Sequence, residues 1–147
     1  MPYDRLLKLG LIKPESASPT EIKQLLKVAS RDLNASARNL SEDDDWAYTM
    51  AYNAVLQACR ALMLAEGYRP RGGEQHATVV EFIRENLGTS YANQVNLFDQ
   101  MRRKRHRMIY EAAGLVSKHE AEQTVEFAKG FVAQLTEIIM LQKGLGL

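Results

Sequence analysis

Apolar residues return every three or four positions along most of this chain, the spacing of a helix packed on one face. Residues 3–9 are a short amphipathic piece that stops at Gly10, and Lys13 to Pro19 is a turn-rich connection. Ser18 then stands as a helix cap, with Pro19 at the first helical position and Glu21 in the first turn. Ile22, Leu25, Leu26, Ala29 and Leu33 continue at helical spacing and predict a helix to about Asn39. Residues 41–45, Ser-Glu-Asp-Asp-Asp, are a second start signal, because negative charge is favoured at the positive end of the helix dipole. The helix they open is predicted from Glu42 to Glu66. Its Ala47, Ala51, Ala54, Ala58, Leu62 and Ala65 form a ridge of small side chains on which another helix can lie close. A shorter helix is predicted over Gln75–Asn86, another over Tyr91–Ala113, and a last over Lys118–Gln142 behind a Ser117 cap. No segment alternates with period two, so no strand is predicted.

This pattern predicts an all-α fold, an antiparallel up-and-down helical bundle of four main helices plus one or two short ones, since short connections favour antiparallel neighbours. A length of 147 residues suits a single domain over 1–147. Within it, 1–18 reads as the short helix and turn-rich connection, and 19–143 as the bundle. No apolar run approaches the ~20 residues that span a bilayer, and the first residues carry no apolar signal region. The chain is therefore expected to be cytoplasmic, with no membrane partner. Cys59 is the only cysteine, which excludes an intrachain disulfide and a cysteine-based zinc site. It reads as a small core residue. The histidines, His76, His106 and His119, lack ligand spacing, so neither a metal nor a cofactor is expected.

Charge changes the picture locally. The net charge is only +1, yet Arg102-Arg103-Lys104-Arg105-His106-Arg107 is an unbroken basic run, with Tyr110 just behind. A balanced chain with one dense cationic segment is suited to a polyanion at that place. At about 100° per residue, Leu97, Phe98, Met101, Met108, Ile109 and Ala112 make an apolar stripe, and Arg105 falls inside it. Asp99, Arg102, His106 and Tyr110 share the adjoining flank, while Arg103 and Arg107 lie toward solvent. One reading is a groove for phosphates. Arg102 and Arg105 clamp the anion with their forked guanidinium groups, and Arg103, Lys104 and Arg107 add positive charge. An imidazole can carry a proton near neutral pH, which makes His106 a candidate for phosphodiester cleavage. Tyr110 can donate a hydrogen bond or stack on a base. The plainer reading is a solvated face plus one arginine salt-bridged to Asp99 or to Asp43–Asp45.

His76 follows Gly72-Gly73 at a helix start, where anions are attracted, but it reads more simply as a polar residue near the cap. Trp46, Tyr48 and Tyr52 read as core or dimer packing. Arg71-Gly72-Gly73 is too short for a phosphate-binding loop of the Gly-Lys-Ser/Thr type.

The run Ala51 to Tyr68, Ala-Tyr-Asn-Ala-Val-Leu-Gln-Ala-Cys-Arg-Ala-Leu-Met-Leu-Ala-Glu-Gly-Tyr, resembles the second-helix signature of HEPN domains. So does the Gly-rich turn that leads into His76-Ala77-Thr78-Val79-Val80-Glu81-Phe82. The resemblance spans about residues 42–142 and puts the basic helix where the family carries its Arg-x(4–6)-His motif. It implies an antiparallel bundle that forms a homodimer and places two copies of the motif in one shared cleft. Many members are metal-independent ribonucleases, found as toxins beside a nucleotidyltransferase antitoxin or in phage defence. Others bind nucleotides or serve as interaction modules. Carried onto this chain, Arg105 and His106 match the start of the motif, and Tyr110 stands where its histidine is expected. Taking Arg102 as the arginine and His106 as the histidine leaves only three residues between them. The implied catalytic set is Arg105, His106, Tyr110 and Asp99. Both an RNA- or nucleotide-directed ribonuclease and a non-catalytic interaction module remain open at this point.

Overall fold

The structure, a computed structural model, describes residues 2–143. Its elements run α1 (Asp4–Lys8), β1 (Ile12–Pro14), α2 (Pro19–Asn39), α3 (Asp44–Ala65), β2 (Tyr68–Pro70), α4 (Gln75–Leu87), a single 3-10 turn (Thr89–Tyr91), α5 (Ala92–Tyr110) and α6 (Lys118–Lys143). The all-α bundle expected from the hydrophobic spacing is what forms, with α2, α3, α5 and α6 as the long helices. None of the helices among the described residues is long and apolar enough to cross a membrane.

Local chemistry sets the helix starts. The Ser18 hydroxyl accepts from the Glu21 backbone N–H at 3.2 Å and the Glu21 carboxylate accepts from the Ser18 N–H, a complete capping box. Asp43 caps α3 by accepting from the Trp46 N–H at 3.1 Å, and Ser117 caps α6 by accepting from the Glu120 N–H at 3.1 Å. Each cap satisfies a donor that has no partner inside its own helix.

Helix α3 is the centre of the molecule, packed chiefly by α2 and α6 and also touched by α4 and α5. Its small-residue ridge lets these neighbours approach. Ala47, Ala51, Ala54, Ala58 and Leu62 are all fully buried within the one chain. The ridge is therefore covered within the chain and is not free to meet a second copy. Two buried polar contacts fix the α2–α3 register. Ser36 Oγ donates to the Ala47 carbonyl at 2.7 Å, and Asn53 Nδ2 donates to Asp32 Oδ2. Cys59 lies in this core, and burial raises its thiol well above its ordinary range, which makes it inert packing.

The strands correct the all-helix expectation. β1 and β2 form an antiparallel ladder with Ile12 opposite Pro70, Lys13 opposite Arg69 and Pro14 opposite Tyr68. Three residues are too few for alternation to show in a sequence, and the two prolines read as loop. Gly67 permits the turn into β2 because its φ of +92° is costly for any residue with a side chain. The Arg71 N–H extends the pairing by donating to the Leu11 carbonyl at 2.8 Å. The N-terminal segment also packs on α4. Tyr3 stacks on Phe82 with ring centroids 4.3 Å apart, and Arg5 pairs with Glu81 and Glu85.

Helix α5 ends at Tyr110, three residues before the predicted Ala113, and Ala112 is exposed outside the helix rather than part of an apolar stripe. The chain turns at Gly114, whose N–H donates to Asp45 Oδ2 at 2.8 Å and ties the α5–α6 connection to the start of α3.

Candidate nucleic-acid interface

The basic helix α5 runs past the turn that enters α4, and an open cleft of about 410 Å³ lies between them. From α5 come Arg102, Arg105, His106 and Tyr110, from the turn come Gly72, Gly73 and Glu74, and from the start of α4 come Gln75 and His76. Gly72 has a φ of +90°, so a residue with a side chain there is strained.

Arg105 is half-buried, and its guanidinium carbon lies 5.5 Å from the centroid of the Tyr52 ring. Tyr52 is fully buried, so the cation rests on a fixed aromatic face. Among the described residues no carboxylate pairs with Arg105. The salt bridge to Asp99 that the plainer sequence reading expected does form, but with Arg102 and Arg103 and not with Arg105. Asp99 is committed elsewhere: Oδ1 accepts from Arg102 Nε at 2.9 Å and Oδ2 pairs with Arg103 Nη2 at 2.9 Å. With both oxygens taken by arginines, Asp99 orients Arg102 at the cleft and does not itself line it. Asp99, expected in the catalytic set, thus stands behind Arg102 rather than in the cleft lining.

The other basic residues divide. Arg103 and Arg107 are exposed outside the cleft lining. Lys104 points the other way, toward α6, where Nζ meets Glu120 Oε1 at 2.6 Å and sits 6.0 Å from the Tyr48 ring. It links α5 to α6 through this ion pair and does not line the cleft. His106 and Tyr110 are one helical turn apart with ring centroids at 4.7 Å, and both face the cleft. Tyr110 is 72% exposed, open to a ligand from outside.

His76 is the residue that sequence reasoning undervalued. Its Nδ1 lies 3.0 Å from the Tyr52 hydroxyl, and the ring lines the cleft opposite Arg105. Burial lowers its pKa below the ordinary imidazole value, and the positive charges of Arg105, Arg60 and Arg102 lower it further. Burial pushes the Tyr52 phenol well up, against the pull of Arg105 and Arg102, so it keeps its proton. The glycine pair before the helix start was the one sequence signal for His76. Its contact with Tyr52 joins two helices and has no periodic signature.

A second depression of about 400 Å³ shares Arg105 with the first. Asp43, Asp45, Trp46 and Thr49 line it from α3, and Met108 and Ile109 from α5. Trp46 is 57% exposed and Ile109 48% exposed, which puts large apolar surface beside the cationic cleft.

Chemically, the cleft offers two forked cations, two imidazoles and a phenol, arranged to receive phosphate oxygens and a neighbouring planar group. The family model of the HEPN domain matches residues 22–139. No curated protein and no solved structure matches the chain.

Proposed function

This chain belongs to the HEPN domain family, and from that premise we propose that it binds RNA through the α4–α5 cleft and cleaves it without a metal ion. The observation that carries the reading is Arg105, a half-buried guanidinium on the face of Tyr52 that has no carboxylate partner among the described residues and opens on the cleft. A half-buried guanidinium without a direct carboxylate partner loses hydration, and a phosphate in the cleft offsets that loss.

In the proposed reaction Arg105 and Arg102 hold the scissile phosphate and offset the charge that builds on it. The RNA 2′-oxygen attacks phosphorus and the bond to the 5′-oxygen breaks, leaving a 2′,3′-cyclic phosphate and a 5′-hydroxyl end. The 2′-hydroxyl proton passes to His106, and the departing oxygen takes a proton from solvent. Tyr110 stacks on or hydrogen-bonds to the adjoining base. The depression lined by Trp46 and Ile109 is where a second copy of the chain sits, so that the homodimer brings two clefts together. In a two-gene setting the chain is the toxin and a nucleotidyltransferase its antitoxin; a nucleotidyltransferase gene next to this one supports that pairing.

The test is RNA degradation in EDTA by the wild type, Arg105→Ala and His106→Ala. The expected result is cleavage by the wild type and loss in both variants; equal cleavage by all three ends this assignment. A second reading, a module that binds RNA or a nucleotide without turnover, is favoured by Tyr110 at the motif's histidine position. Salt-dependent RNA binding by the wild type with no product selects it.

A further inference from the structure

We propose that His76 is a ligand-contacting residue of this cleft, its imidazole locked by Tyr52 so that Nε2–H is offered to a phosphate oxygen. The inference rests on the cleft being the RNA site.

The tautomer follows from hydrogen-bond accounting. The Tyr52 side chain is fully buried and its hydroxyl must place its hydrogen on an acceptor. Among the described residues the partner within reach is His76 Nδ1, at 3.0 Å. If Nδ1 carried a hydrogen and donated to the phenol, the phenol hydrogen would be left buried without an acceptor. So the phenol donates, Nδ1 accepts, and the ring's hydrogen is on Nε2. That nitrogen has no protein partner among the described residues, and the ring lines the cleft. Protonating the ring would put hydrogens on both nitrogens, reverse the Tyr52 bond and leave the phenol hydrogen without its acceptor. The charged groups around it oppose protonation as well: Arg60 from α3, and Arg102 and Arg105 from α5. His106 and Tyr110 face it across the cleft, and Glu74 lies at the mouth. His76 is thus a neutral donor among cations. The arginines supply charge, and His76 supplies direction.

Two measurements on the full chain test this. Long-range proton–nitrogen NMR of the ¹⁵N-labelled protein should show His76 at pH 7 as the Nε2–H tautomer, and a mixture of tautomers in Tyr52→Phe. An Nδ1–H tautomer or an imidazolium in the wild type overturns the proposal. Binding of a mixed-sequence single-stranded RNA is then followed by fluorescence anisotropy across a series of NaCl concentrations. His76→Ala should bind about tenfold more weakly with an unchanged slope of log affinity against log salt. Arg105→Ala should weaken binding and reduce that slope by about 0.7. An unchanged affinity in His76→Ala beside a weakened Arg105→Ala overturns the role of His76 and leaves the cleft standing. A reduced slope in His76→Ala overturns the neutral-donor claim. No effect of either substitution, or no binding by the wild type, ends both the proposal and the reading it rests on.

Discussion

A guanidinium flanked by core residues ordinarily finds a carboxylate, because its charge is costly to leave unpaired. Arg105 instead lies on Tyr52, and Asp99, six residues earlier, is taken by Arg102 and Arg103. The placement of Arg105 in the apolar stripe was legible from the helical wheel; its aromatic partner was not, since Tyr52 belongs to another helix. The partner of Lys104 was hidden for the same reason, because Glu120 lies on α6. Two predictions belong at this scale. If Arg105 begins the family motif, Tyr110→His completes it, and cleavage of RNA in EDTA should rise at least tenfold, in line with the ~10²-fold or more that a positioned acid–base group contributes. No gain counts against that register. The second concerns pH. The His76 imidazole titrates below its ordinary value of 6.5 in the folded chain, so the unfolded state binds more protons between the two values. The stability linked to His76 is therefore complete above pH 6.5 and is lost as pH falls through the lower, folded value. Urea unfolding of His76→Gln should show a shallower loss of stability than the wild type on acidification below that pH.

Elements were read well wherever their ends are decided by neighbouring residues. Ser18-Pro19-Thr20-Glu21 announces α2 because the cap, the proline and the acid all act within one turn. Ser18→Ala removes the capping hydroxyl and should cost about 1 kcal/mol, read as a lower urea midpoint with an unchanged slope. Elements were read poorly where distant partners decide them. β1 and β2 are more than fifty residues apart and hold each other through backbone groups that carry no sequence signal. The early end of α5 has a similar origin, since the Gly114 N–H is bonded to Asp45 on α3. The alanine ridge on α3 was visible, but which surface would cover it was not; α2 and α6 of the same chain take that place.

At the scale of the molecule, a chain of net charge +1 has one dense basic run, Arg102 to Arg107, of which only Arg102, Arg105 and His106 line the cleft. Affinity for RNA should therefore depend on few phosphates, and its salt dependence should be shallow. The exposed Trp46 and Ile109 bear on assembly. Ile109→Glu removes exposed apolar surface and adds a third carboxylate to a depression that Asp43 and Asp45 already line. It should shift the protein toward monomer in sedimentation equilibrium and lower cleavage with it, while leaving the thermal midpoint within about 2 °C of wild type, as expected of an exposed site. A wild type that sediments as a monomer removes the shared-cleft part of the proposal.

The short ladder near the N-terminus reaches further than its size suggests. It clamps the backbone at Pro70 and Arg71, one residue before Gly72-Gly73, and α4 takes hold again at Gln75. The rim of the cleft is thus a bridge pinned at both abutments, and its span is set in part by Leu11 and Ile12, at the other end of the sequence from α5. A substitution at Ile12, which is almost wholly buried, would then alter how wide a guest the cleft admits without altering any group that touches the guest. Selectivity for the size of a base or a backbone bend could drift through residues that a survey of contacts would pass over.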